Sequence, residues 1–137
     1  MLNLIRNILH PTSNTQLSIT LPHPAKALRP NIAVRMHWGA KAAARAKARE
    51  LARITTVDAI AAQKIDLIRF LPTGYILEWN YKGAKPDADN CLAACKGYLD
   101  GICDTLKIND RDLDVYGIFR IHDKAKANTL TLTITAQ

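Results

Sequence analysis

The C-terminal run TLTLTITA, Thr129 to Ala136, sets apolar Leu130, Leu132 and Ile134 in strict alternation with threonines. Successive side chains of a strand point to opposite faces, so this pattern builds a sheet with one buried and one wet face. Such a sheet needs a cover, and the chain provides helices for it. From Trp38 to Ala62 an alanine-rich, Lys/Arg-rich run contains no proline and predicts a long helix. A second helix is predicted from Asn90 to Leu106. At about 100° per residue, Leu92, Cys95, Leu99, Ile102 and Leu106 fill one side of it.

The remaining strands follow from the same reasoning. Leu17, Ile19 and Leu21 alternate with Ser18 and Thr20 and stop at Pro22. The stretch HPAKALRPNIAVRMHW reads as a structured loop. IDLIRF and YILEWNYK, joined by Leu71-Pro72-Thr73-Gly74, predict a hairpin, and Pro86 ends its second arm. VYGIFRIH and TLTLTITA flank a turn over 123–128. The expected order is β-α-β-β-α-β-β, an α/β (α+β) fold whose mixed, largely antiparallel sheet is covered by helices. Residues 1–15 read as an N-terminal arm and linker, and 16–137 as one domain, a size at which a single core suffices.

Charge narrows the partner. Nineteen Lys+Arg against 12 Asp+Glu give a net +7, which favours a polyanion such as nucleic acid. No run approaches the roughly 20 apolar residues of a membrane span. The opening MLNLIRNILHPTSNT is too short and mixed for a signal peptide, so the expected location is cytoplasmic, with no membrane partner. Lys41, Arg45, Arg49 and Arg53 recur every four residues and form a ridge on the first helix, offset nearby by Glu50. A solvated face and a track for phosphates both fit this ridge. His37 and Trp38, just before it, suit either substrate contact or capping of the core.

Against this basic background, seven of the 12 acids fall between Lys85 and Asp114, in KPDADNCLAACKGYLDGICDTLKINDRDLD. Asp87 and Asp89 lie two apart and, in extended chain, point the same way. They stand where a helix begins, which tolerates ionised acids, and Asp89 or Asn90 is the expected cap. An EF-hand is excluded, because counting from Asp87 its fifth, sixth and twelfth positions hold Cys91, Leu92 and Tyr98. Zinc is excluded too: Cys91, Cys95 and Cys103 form no CxxC pair and read as small buried hydrophobes. Gly97 and Gly101 each cost the second helix about 1 kcal/mol relative to alanine, so another backbone or a nucleic-acid strand should lie close by. Lys96 can reach back toward Asp89 or bridge to Asp100. If the following strand packs beside the helix, Asp110 joins Asp87 and Asp89, and three such carboxylates call for a hard divalent cation.

KPDADN, Lys96, YLDGI and INDRDL together resemble the RusA family of Holliday-junction resolvases. Arg29-Pro30-Asn31, His37-Trp38 and Lys41 are similar to its phage and prophage members, so that the likeness covers residues 17–137. The resemblance implies a homodimeric crossover junction endodeoxyribonuclease that uses magnesium, with manganese an alternative, to nick four-way DNA junctions symmetrically in recombination and repair. It places metal ligands at Asp87, Asp89 and Asp110, with Asp112 the substitute if the register shifts by two, and a catalytic lysine at Lys96. Some members carry that lysine where Ala93 stands here, one turn earlier. Asp100 matches a position of structural support. Candidate DNA contacts are Lys41, Arg45, Arg49, Lys85, Arg111, Arg120 and Lys124. Two rivals remain: a non-catalytic basic DNA-binding module, and a metal-dependent hydrolase of small phosphorylated compounds.

Overall fold

The structure is a computed structural model and describes residues 15–30 and 38–137. The arm and linker expected over 1–15 fall outside the described residues apart from Thr15, as do Asn31 and His37. The described elements are β1 (Gln16–Pro22), α1 (Trp38–Ala62), β2 (Pro72–Tyr81), α2 (Ala88–Ala94), α3 (Lys96–Leu106), β3 (Asp114–His122) and β4 (Thr129–Ala136). Short 3-10 turns occupy Lys26–Leu28 and Asp110–Asp112.

The four strands form one mixed sheet in the order β1-β4-β2-β3. β4 runs antiparallel to both β1 and β2, whereas β2 and β3 are parallel. Leu17, Ile19, Leu21, Leu77, Leu130, Leu132 and Ile134 are fully buried, as the alternation required. On the β1–β4 pair the opposite face is polar. Ser18 and Thr20 meet Thr133 and Thr131 across the β1–β4 pair, hydroxyl to hydroxyl, at 3.4 and 3.1 Å. Because β4 is a central strand, its neighbours shelter Thr133 and Thr135 to 9% exposure, drier than an open wet face.

Three expectations fail. IDLIRF is not a strand, so the described sheet has four strands rather than five. Lys64 takes a left-handed φ of 55° and ends α1, with the Ile65 amide donating to Ile60 at 3.0 Å. Asp66 then organises a tight turn, its Oδ1 accepting from Ile68 N (3.1 Å) and its carbonyl from Arg69 N and Phe70 N. Buried Ile65 and Phe70 pin the two ends of this turn to the core. Second, β3 and β4 are not a hairpin, because β2 lies between them and the 123–128 connection crosses over it. Third, the second helix begins earlier, at Ala88, and breaks at Cys95 (φ −87°, ψ 1°). There the amide bonds Leu92 O, three residues back, at 3.0 Å.

The two glycines of α3 find the close backbone they require in α1. A Cβ on Gly97 would lie 3.1 Å from Ala48 Cβ, and one on Gly101 would meet the Arg49 carbonyl and lie 2.9 Å from Ala52 Cβ. Ala48 and Ala52 are buried in this seam. Cys91, Cys95 and Cys103 are buried free thiols, in keeping with their hydrophobic role. Burial pushes the Cys91 thiol up to about 11 and Cys103 up to about 12, so both stay protonated and unreactive at neutral pH.

Candidate functional site

The acidic segment is held by its neighbours on both sides. Asp87 is the N-cap residue of α2, two positions before Asp89 and three before Asn90, the two expected caps, and its carboxylate makes no capping hydrogen bond. Only its carbonyl is used, accepting from Cys91 N at 3.1 Å. Asp89, in the first turn, accepts from the Asn90 amide at 3.1 Å. Behind them Arg120 of β3 donates from an Nη to the Pro86 carbonyl at 3.0 Å. This fastens the loop before α2 to the sheet edge through one nitrogen of the Arg120 guanidinium.

Asp110 comes from the other end of α3. Lys107 adopts the left-handed conformation (φ 57°, ψ 45°), and Ile108 N bonds back to Cys103 O at 3.0 Å. That cap reverses the chain and seats Ile108 against the core. Asn109 Oδ1 then accepts from Arg111 N at 3.1 Å and closes the 3-10 turn that carries Asp110. The result is an ion pair in which Lys96 Nζ lies 3.7 Å from Asp110 Oδ2. Sequence spacing offered Lys96 the partners Asp89 and Asp100, and the fold gives it Asp110. Burial pushes the nearby Tyr75 hydroxyl up to about 12, with Asp110 among the charges that add to the effect.

The predicted acids do not converge as a triad. Asp110 and Asp112 line a cleft of about 560 Å³ with Asp100, Asp104, Arg49 and Lys107. Asp87 lines a different cavity of about 580 Å³ with His23, Arg29, Trp79, Lys82 and Lys85. Among the described residues no group of three or more His, Cys, Asp or Glu side chains is placed to hold a metal ion. The donor set is nevertheless all carboxylate, the chemistry a hard divalent ion prefers. Magnesium commonly takes only one or two protein carboxylates and fills the rest with substrate phosphate and water.

The basic ridge is less free than its spacing implied. Arg49 donates from Nε and Nη to Asp104 of α3 at 2.5 and 2.7 Å, and Arg53 is forked onto Glu50 at 2.9 and 2.6 Å. These bonds hold the Asp104 and Glu50 carboxyls below their ordinary range. Lys41 and Arg45 line a groove with Ala27, Leu28, Trp38 and Arg49 itself. Lys85, Arg111 and Lys124 are exposed on loops and turns. Sequence reasoning missed His23, Arg29 and Lys82 as neighbours of Asp87. No local signal marks them, because the β1-β4-β2 strand order is what brings the end of β1 beside the end of β2.

No family model matches this chain. It is 35% identical over 127 residues to an uncharacterized protein of Xylella fastidiosa, an alignment that spans 86% of this chain and 75% of that relative.

Proposed function

The chain belongs to one family with that Xylella fastidiosa protein, and we propose that it is a Holliday-junction resolvase, a magnesium-dependent endonuclease that makes paired symmetric nicks in four-way DNA junctions. The observation that carries this reading is the 3.7 Å ion pair of Lys96 and Asp110. It joins KPDADN…K to INDRDL, the two parts of the RusA-like pattern that lie apart in sequence.

Asp87, Asp89 and Asp110 are the proposed oxygen ligands. Because Asp87 and Asp110 line separate cavities in the free protein, substrate would have to draw them together around the ion, which would supply polarisation of the scissile phosphate and a lowered water pKa. Lys96 offsets charge at Asp110 in the free protein and faces the phosphate when substrate arrives. Lys41 and Arg45, with Lys85, Arg111 and Lys124, hold the backbone of the arms. Arg120 positions Asp87 through Pro86. A two-fold homodimer presents two such sites to symmetry-related strands, as paired nicking requires.

The experiment is cleavage of a synthetic four-way junction in magnesium, in manganese and with chelator, with linear duplex as control. Paired nicks in the junction that chelator abolishes are expected. Metal-independent binding without nicks would leave only a DNA-binding module. Since among the described residues no three acids are placed to hold a metal ion, manganese should bind weakly to protein alone and more tightly once junction is added.

A further inference from the structure

The cavity beside Asp87 has features that the metal chemistry does not use. His23 stacks on Trp79, ring centroids 4.2 Å apart and planes 24° from parallel. Its Nε2 donates to the Thr129 carbonyl at 3.1 Å, which fixes the ring. Tyr81 continues the aromatic wall. Burial lowers the His23 pKa, so this wall is uncharged at neutral pH. Positive charge is supplied by Arg29, Lys82 and Lys85, with Asp87 the one acid among the lining residues. The Arg29 Nε is buried with no hydrogen-bond partner among the described residues, as is the Arg120 Nε outside this cavity.

An aromatic wall beside clustered cations is the chemistry that recognises a nucleotide: ring stacking for the base, charge for the phosphate. The volume of about 580 Å³ lies in the roughly 300–1,000 Å³ range of small-molecule sites. A purely apolar ligand would leave the three cations unused, and free phosphate would leave the rings unused. Resting on the nuclease reading, we infer that this cavity seats one unstacked nucleotide of the bound DNA strand, its base on the His23–Trp79 side and its phosphate on Arg29, Lys82 and Lys85.

Trp79 reports on the seat directly once exposed Trp38, the other of the two tryptophans, is replaced in a Trp38→Phe protein. A single-stranded pentanucleotide, titrated in chelator, is expected to change Trp79 emission saturably, and an abasic pentamer of equal charge is not. Lys82→Ala, at an exposed position, should weaken the pentanucleotide about three- to tenfold, the scale of a lost phosphate contact. Equal responses to the base-bearing and abasic pentamers, or no response, would overturn the inference. So would a free mononucleotide that binds as tightly as the pentamer. Junction nicking by the same protein is scored separately. Nicking with no base-dependent signal removes the seat and keeps the nuclease, whereas a base-dependent signal without nicking does the reverse.

Discussion

Lys96 Nζ stands 3.7 Å from Asp110 Oδ2, tying the first residue of α3 to the turn that lies beyond its last. The pair is half exposed, with side-chain accessibilities of 57% and 39%. A salt bridge so placed contributes under about 1 kcal/mol to stability. Its worth is therefore sought in chemistry, and the two contributions can be measured apart.

Lys96→Met and Asp110→Asn should each lower junction nicking by about 10²–10³-fold, the usual cost of removing one electrostatic partner from a transition state. The melting temperature should move by only a few degrees. Asp110→Asn should retain or strengthen junction binding, because a negative charge near phosphate is gone. Cleavage rates and thermal melts on the same proteins check this, and unchanged nicking by both variants would remove the catalytic assignment.

Gly101→Ala tests the α1–α3 seam. On an exposed helix the change would stabilise by about 1 kcal/mol. Here the new methyl meets the Arg49 carbonyl and Ala52, and overpacking of this kind costs about 1–3 kcal/mol. Net destabilisation is expected, seen as a lower urea midpoint. Gly97→Ala, with 3.1 Å to Ala48 Cβ, should be milder.

Asp104→Ala should turn Arg49 loose. The bidentate pair holds that guanidinium on α3, so freeing it adds a cation to the ridge. DNA affinity should rise at low salt, and the slope of log K against log salt should steepen by about one phosphate contact. Arg49→Ala, by contrast, should change that slope little. Salt titrations of duplex binding distinguish the two.

His23 should make the fold sensitive to acid. Burial depresses its folded pKa below the ordinary histidine value of 6.5. The unfolded chain therefore binds the extra proton first. The contribution is complete above about pH 6.5 and is lost as pH falls from there toward the folded value. Urea midpoints over about pH 5 to 7.5 should decline on the acid side, and His23→Gln should flatten that decline whatever it does to stability at pH 7.5.

Much of the architecture was legible because it rests on local rules. The Trp38–Ala62 helix was read with its observed ends, since an alanine-rich run without proline has no competing local structure. Leu17–Leu21 and Leu130–Ile134 were read as strands because alternation fixes which face is buried. The close partner of Gly97 and Gly101 was inferable from the cost of leaving them in a helix. IDLIRF was misread because its β-rich composition said nothing of the Asp66 turn that outcompetes a strand there.

What the chain determined by itself was periodicity: which residues are helical or extended, which faces are apolar, and where its acids are concentrated. Tertiary structure decided who meets whom. It ran β4 between β1 and β2, gave Lys96 the distant Asp110, bound Arg49 to Asp104, and set His23 on Trp79. Backbone geometry acts over a few residues and can be counted along the sequence. Strand order and ion pairing are set by how whole faces pack, which no window of neighbouring residues contains.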